Sequence, residues 1–232
     1  IINFLKSNFL KLICINSVRP ILLSENPTFL ILMSQNIGDM IVCSPILREL
    51  KLAFPNSDLQ VIIKSVNKEM AEVNPYIDEI HIYRNKWICL FPLLIKLRRK
   101  KFDIAVELEA KVLTKVILML KIIKPRCILA VSKTEGRYGM TSEEVFPYDF
   151  YTDSKIIHQR DTAIDILRLL NINPINKHYD IFLSQLHKVK SSKFLSKFDQ
   201  SKILIGFNLE GSSIDRRISK EDASKIIAGL AK

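Results

Sequence analysis

The chain has 232 residues, of which 48% are hydrophobic and 25% charged, and its formal net charge is +11. This apolar composition excludes an intrinsically disordered protein, and the length suits one large domain or one domain with part of a second. Residues 84–133 hold 13 lysines and arginines against three acids, so they carry nearly the whole charge excess. They are expected to attract a phosphate-rich partner, although a solvated basic face is the simpler alternative.

The cysteines and histidines predict neither a disulfide framework nor a metal site. The cysteines are scattered without a CxxC pair, which indicates buried apolar residues in a reducing compartment. The histidines have no metal-ligand spacing. These residues are Cys14, Cys43, Cys89, Cys127, His81, His158, His178 and His187.

Residues 1–27 are treated as an N-terminal extension of unclear role. They are apolar, but four lysine, asparagine and arginine residues interrupt the run, so it makes neither a clean membrane span nor a convincing signal peptide. An interfacial amphipathic segment is one alternative, and a non-native leader or the tail of a missing upstream region is the other. The sequence does not begin with Met, which fits either a fragment or an omitted start.

From residue 28 onward, strands and helices are predicted to alternate, which favours a parallel α/β sheet covered on both faces. The opening run Phe29–Met33 is typical of a strand buried on both sides, and it leads through Gly38 into a helix that contains Pro45. Predicted strands are 29–33, 59–63, 79–83, 102–108 and 127–131. Predicted helices are 39–53, 67–73, 92–101 with Pro92 near its start, 111–123 and 161–170, and 135–154 is predicted as a loop.

The pattern changes after residue 174. We predict strands at 180–183 and 202–207, a basic segment at 187–197, a loop at 208–217 and a helix from Lys220 onward. One strand, one loop and one helix cannot enclose a core, so this part is interpreted as the first unit of an incomplete second α/β domain.

Two nucleotide-binding motifs can be rejected or weakened. The segment 206–213, GFNLEGSS, has the spacing of a phosphate loop, but Ser212 stands where the phosphate-binding lysine is required. No GxGxxG occurs, which weakens the dinucleotide interpretation. Asp39 follows Gly38 at a predicted helix N-terminus, where an acid is either a structural cap or, at the carboxyl end of a strand, a group positioned for chemistry.

Residues 34–78 resemble the N-terminal domain of the family 9 glycosyltransferases, which include the heptosyltransferases of the lipopolysaccharide inner core. The family pattern is a strand, then Ser-x-x-Ile-Gly-Asp, a hydrophobic helix with Pro and Leu-Arg, a helix ended by Pro, and later Asn-Pro-x-Ile-Asp. The matching positions are Ser34, Ile37, Gly38, Asp39, Pro45, Leu47, Arg48, Pro55, Asn74, Pro75, Ile77 and Asp78. A looser similarity extends over residues 28–232.

The resemblance implies a GT-B fold of two Rossmann-like domains with the active site in the cleft between them. Residues 28–185 would form the acceptor-side domain, and residues 186–232 a linker and the incomplete start of the donor-binding domain. The implied reaction is an inverting, metal-independent transfer of heptose or a related sugar. The donor would be nucleotide-activated, ADP-heptose being the favoured one, and the acceptor lipopolysaccharide inner core or another surface glycan. No further cofactor is expected.

The resemblance also assigns roles to single residues. Asp39 is the candidate general base for the acceptor hydroxyl. Gly38 is expected to let the backbone turn tightly and to leave room for the sugar, and Ser34 and Asn36 are further expected substrate ligands. For the leaving diphosphate the candidates are Arg216, Arg217 and Ser212.

The chain departs from the family pattern in the loop after the fourth strand, where residues 107–110 read ELEA in place of an expected Gln-Gly run. The cationic residues Arg98, Arg99 and Lys100, with Lys101, are expected to bind an anionic glycolipid acceptor. The apolar residues of this edge are Trp87, Leu90, Phe91 and Leu93. This arrangement predicts a cytoplasmic protein in peripheral contact with the inner membrane, and the alternative is an amphipathic helix packed on the sheet.

Two other functional classes were weighed against the transferase. A non-catalytic or truncated module that binds acceptor or membrane stays an alternative, because most of a donor domain lies outside residues 1–232. Nucleic-acid binding is not expected, since it would depend on charge alone without a recognised binding motif.

Overall fold

The computed structural model describes residues 18–33, 36–84, 86–133, 148–153, 158–206, 208 and 217–230. Its first part contains a sheet of six strands: β1 Thr28–Met33, β2 Asp58–Lys64, β3 Glu79–Tyr83, β4 Ile104–Glu107, β5 Cys127–Ala130 and β6 Phe150–Tyr151. The spatial order is β3-β2-β1-β4-β5-β6, and every neighbouring pair is parallel. The predicted parallel α/β sheet is confirmed, and the strand order reverses between β1 and β4.

The helices that cover or follow the sheet differ from the prediction in several places, two of which involve proline. They are α1 Ile37–Val42, α2 Ser44–Ala53, α3 Lys68–Glu72 after a 3-10 turn at Ser65–Asn67, α4 Trp87–Lys100, α5 Thr114–Ile123, α6 Gln159–Leu169, α7 Gln185–Leu195 and α8 Lys220–Leu230. The predicted helix 39–53 is two helices separated at Cys43, because Pro45 occupies the first turn of α2, where its missing N–H costs nothing. The prediction that Pro92 begins a helix is wrong. Pro92 is the sixth residue of α4 and is exposed, so its lost hydrogen bond lies at the solvent side.

Strand β1 explains why both faces of the sheet are covered. Phe29, Ile31 and Met33 pack into one apolar cluster with α2 and α6, whereas Leu30 and Leu32 pack into a second cluster with α4 and α5. Successive strand side chains point to opposite faces, so a strand between two helix layers must be apolar at every position. The continuous apolar run therefore encodes the central strand of a doubly wound sheet.

The segment 18–27 belongs to the amino edge of this sheet. The backbone N–H of Arg19 and its guanidinium Nε and Nη2 donate to the carboxylate of Asp149, at 2.9, 3.1 and 2.8 Å. The backbone N–H of Thr28 donates to Asp103 at 2.9 Å. These hydrogen bonds connect Arg19 and Thr28 to the starts of β6 and β4. The residues before position 18 lie outside the described part.

The chain separates into two compact units, Ile1–Ser184 and Gln185–Lys232. The strand predicted at 180–183 is wrong, because this segment is irregular and its backbone is held by side chains of α2. The strand predicted at 202–207 is likewise wrong over 203–206, which are irregular and exposed. Among the described residues, no helix has the length and apolarity that would be needed to cross a bilayer.

Candidate active site

The candidate site lies at the carboxyl ends of β1 and β4. These strands are direct neighbours, with Leu32 opposite Glu107 in the register, and the strand order reverses between them. In open α/β sheets the crevice at such a switch point is where ligands bind, because the chain leaves the two strands in opposite directions. The segments that follow β1 and β4 therefore carry the candidate residues.

Asp39 caps the first helix after β1. It is the third residue of α1, and its Oδ2 accepts the backbone N–H of Asn36, the N-cap residue, at 3.1 Å. The structural role weighed in the sequence analysis is thus present. The carboxylate is only partly buried, so the cap fixes its direction without removing it from solvent.

Of the other predicted residues near Asp39, Asn36 is exposed, and its side-chain oxygen accepts from Nζ of Lys64 at 3.3 Å. The expectation that Gly38 makes a tight turn is wrong, because Gly38 is helical. Apart from its chain neighbours and the backbone of its own helix, no described atom lies within 4 Å of a Cβ built on Gly38, so the space in front of it is open. Ser34 lies outside the described residues.

The loop after β4 is fastened by a buried ion pair. Lys133 and Glu107 are paired, and both side chains are almost wholly inaccessible. The Lys133 ammonium also donates to the carbonyl oxygen of Glu109 at 2.5 Å, and it lies 4.7 Å from the ring centre of Tyr148. Burial lowers the pKa of the Lys133 ammonium to about 7.

The charges of Glu109 and Asp39 both act on the buried thiol of Cys43. Burial and, to a smaller extent, the negative charges of Asp39 and Glu109 raise the pKa of this thiol to about 12. Cys43 stands at the break between α1 and α2. Two partly exposed carboxylates, one after β1 and one after β4, therefore lie at the mouth of the switch point.

An open groove of about 630 Å³ adjoins this mouth at the carboxyl ends of β2 and β3. Its lining residues are Lys64, Ser65, Val66, Ile82, Tyr83 and Arg84. Nζ of Lys115 lies 4.8 Å from the ring centre of Tyr83 and 5.3 Å from that of Trp87. The groove thus combines cations with aromatic surface.

The structure does not bring the predicted residues Arg98, Arg99 and Lys100 together with Asp39. They form the last turn of α4, which runs back along the sheet and ends just before β4, at the amino edge. Nη1 of Arg98 donates to the carbonyl oxygen of Ile122 at 2.9 Å, and Lys100 pairs with Glu79. This cationic turn connects structural elements at the edge opposite the candidate site.

The three residues predicted to bind the donor diphosphate cannot be placed as a group. Arg217 is exposed and belongs to the second unit, just before α8. Ser212 and Arg216 lie outside the described residues. Their predicted role stays a prediction.

Other residues of the sequence pattern at positions 34–78 stabilise the fold, and Arg48 is one of them. The buried guanidinium of Arg48 pairs with Asp180 and with Glu49, and it donates to the carbonyl oxygens of Asn176 and His178 at 3.0 Å each. This clamps the segment that leaves α6 onto α2.

Asp78 is fixed at the start of the second strand. It accepts the backbone N–H of Leu59 at 2.7 Å and pairs with Lys51 at 2.6 Å. Both carboxylate contacts join α2 to the amino end of β2. The pattern at positions 34–78 therefore contains one partly exposed carboxylate, Asp39, together with Arg48 and Asp78, which hold the fold together.

Sequence reasoning missed Lys64, Glu109 and Lys133. Lys64 and Glu109 each stand within two residues of a strand's carboxyl end, and this signal was available from the strand predictions. Lys133 lies 26 residues from its partner Glu107, and no local pattern indicates that pairing.

Comparisons with known proteins place this fold among glycosyltransferases. A family 9 glycosyltransferase from Veillonella parvula superposes with a TM-score of 0.71 at 20% identity, over 92% of this chain and 61% of that protein. The E. coli heptosyltransferase WaaC with ADP-2-deoxy-2-fluoro heptose gives 0.60 at 12%, over 88% and 66%. E. coli ADP-heptose LPS heptosyltransferase II gives 0.52 at 18%, over 73% and 50%.

No protein-family profile and no curated protein match the sequence. The chain spans between half and two thirds of the length of the three superposed proteins. At these identities the agreement concerns the path of the chain alone. The chain has the heptosyltransferase-like fold of the family 9 glycosyltransferases.

Proposed function

We propose that the protein is a glycosyltransferase that moves heptose, or a related sugar, from a nucleotide-activated donor to a lipopolysaccharide inner-core or other surface-glycan acceptor. The observation that carries the proposal is the partly exposed carboxylate of Asp39 at the β1/β4 switch point of a family 9 fold. The donor is ADP-heptose, in analogy to the ADP-heptose transferases that share the fold.

Asp39 is the general base of this reaction. The acceptor hydroxyl oxygen attacks the anomeric carbon, its proton passes to the Asp39 carboxylate, and the bond to the diphosphate breaks with inversion. The cap bond from the Asn36 N–H supports this role, because a carboxylate held by the backbone stays aimed while it receives the proton. Arg216 and Arg217 balance the negative charge on the departing ADP without a metal, and the Ser212 hydroxyl donates a hydrogen bond to the diphosphate.

The acceptor is an anionic glycolipid, and its charged group occupies the groove beside Lys64 and Arg84. The lining residues support this assignment, because the groove offers an ammonium, a guanidinium and the Ser65 hydroxyl next to the Asp39 mouth. Tyr83 adds a flat apolar surface suited to a sugar ring. Acidic sugars and sugar phosphates fit this combination.

The first two turns of α4 meet the membrane that holds the acceptor. Trp87, Ile88 and Phe91 are 43%, 82% and 52% exposed, and α4 starts directly after β3, at the carboxyl edge that carries Asp39. Exposed aromatic residues beside Lys86 suit the headgroup region of an anionic leaflet. The protein is accordingly cytoplasmic and peripheral on the inner membrane.

Turnover of ADP-heptose tests the proposal, using protein expressed with any sequence that the gene encodes beyond residue 232. Asp39→Asn keeps an oxygen for the cap but is no base, and we expect kcat to fall about 10²- to 10⁴-fold. Asp39→Ala removes both and should also lower thermal stability. Wild-type-like turnover by the Asn variant would refute the assignment of the base.

Two further outcomes separate the alternatives. Transfer that persists in EDTA is expected for a reaction that needs no metal. Acceptor binding without turnover by wild-type protein, at any nucleotide-activated sugar tested, would instead favour the non-catalytic acceptor-binding module.

A further inference from the structure

The loop after β4 carries a second carboxylate to the mouth where Asp39 stands. Glu109 is partly exposed and lies two residues after the last residue of β4. Because β4 pairs directly with β1, the segments that follow these strands leave the sheet side by side. The shared electrostatic effect of Asp39 and Glu109 on the Cys43 thiol agrees with this placement.

The backbone of Glu109 is held from both sides by buried groups. Its N–H donates to Oε1 of Glu107 at 2.9 Å, and its carbonyl oxygen accepts from Nζ of Lys133 at 2.5 Å. Glu107 and Lys133 are themselves an ion pair, with side chains 2% and 0% exposed. A buried pair of this kind is costly to form, and here each partner also fixes one peptide group of the same surface residue.

In the described structure the side chain of Glu109 is held only weakly by hydrogen bonds. Its Oε1 accepts the N–H of Lys111 at 3.3 Å, a long bond. Breaking that bond would cost little, so the carboxylate is available to a ligand. The buried Glu107–Lys133 pair thus fixes the backbone of Glu109, whose side chain makes only a long hydrogen bond to the N–H of Lys111.

Adjacent hydroxyls of a sugar ring point outward at neighbouring positions, and a carboxylate is a strong acceptor for such groups. Once Asp39 faces the reacting hydroxyl, a second carboxylate at the same mouth can accept from the next one. We propose that Glu109, fixed by the buried Glu107–Lys133 pair, is a positioning residue that binds an acceptor hydroxyl next to the one deprotonated by Asp39.

Two consequences follow for the kind of acceptor. The group placed beside Glu109 is a neutral hydroxyl, because an acidic group there would meet two negative charges. Any acidic group of the acceptor is therefore directed away from the mouth, towards Lys64 and Arg84. The inference rests on the proposed function and adds to it the orientation of the acceptor ring.

The test compares Glu109→Gln and Glu109→Ala with wild type in steady-state transfer, varying acceptor and donor separately. A hydrogen bond to a charged group contributes roughly ten- to a hundredfold in binding. We expect acceptor KM to rise about tenfold in the Gln variant, which keeps an oxygen acceptor, and more in the Ala variant. Donor KM and the unfolding midpoint should stay unchanged.

Glu72→Gln is the matched control, since Glu72 is an exposed glutamate whose partner is the surface residue Lys68. It should leave both KM values unchanged. An unchanged acceptor KM in both Glu109 variants, or an equal rise in donor KM, would overturn the role of Glu109 while turnover still supports the transferase. Absence of turnover in wild type would instead refute the proposed function itself, and with it this inference.

Discussion

The buried guanidinium of Arg48 offers the sharpest test of the fold, because one substitution removes several contacts at once. It lies 8% exposed by side chain, and it joins Glu49 and Asp180 to the backbone of the segment around Asn176. Replacing Arg48 by Met keeps most of the volume and removes the charge. The carboxylates of Glu49 and Asp180 are then left without their cation.

The expected decrease in the free energy of unfolding follows from these broken contacts. Breaking a buried ion pair by removing one partner costs about 3–5 kcal/mol, since the remaining charge stays buried. Glu49 keeps the N–H of Ile175 at 2.7 Å, and Asp180 keeps some access to water, so we expect the lower end, about 3 kcal/mol. Urea unfolding followed by circular dichroism measures this change.

Lys68→Met is the control for Arg48→Met. Lys68 also pairs with a carboxylate, that of Glu72 at 3.3 Å, but the two side chains are 57% and 50% exposed. An exposed pair of this kind contributes less than about 1 kcal/mol. Equal losses in the two variants would show that the Arg48 clamp adds nothing beyond a surface ion pair, which would refute the reasoning.

Three other predictions concern the site, the pH range and the membrane. Gly38→Ala should raise the free energy of unfolding by up to about 1 kcal/mol, because Gly38 is helical with open space around it. The same substitution should raise acceptor KM. A loss of stability would contradict the helical geometry. Burial lowers the pKa of His81 from 6.5 to about 4. Only the unfolded chain then binds a proton as the pH falls from 6.5 towards 4, so urea unfolding should show a loss of up to about 3 kcal/mol, which His81→Gln should abolish. Trp87→Ser with Phe91→Ser should weaken sedimentation with anionic liposomes without lowering the unfolding midpoint, and unchanged sedimentation would rule out this contact.

The sheet could be predicted because its central strands encode their environment locally. The run Phe29–Met33 is apolar at every position, as a strand covered on both faces must be, and Asp39 follows it at the expected helix start. Strand β6 was missed, because its two residues, Phe150 and Tyr151, are too few to show a period.

The sequence predicted the part of the candidate site that lies close to its strand along the chain, and it missed the contacts between distant segments. Asp39 follows its strand by six residues, so the sequence places it at the carboxyl edge. The cationic run at Arg98–Lys100 was predicted to bind the acceptor, although a helix that returns between two parallel strands must carry its last turn to the edge opposite Asp39. The partnership of Lys133 with Glu107 depends on two strands meeting in space, and no sequence period reports such a pair.

The bond between Arg19 and Asp149 also has a consequence for the order in which the protein folds. These residues are 130 positions apart, whereas β1 to β5 are complete once residue 130 has been made. Contacts between distant positions form late, because a large loop must close before they add stability. Strand β6 is therefore expected to join the sheet after β1 to β5, and the bonds between Arg19 and Asp149 form with it.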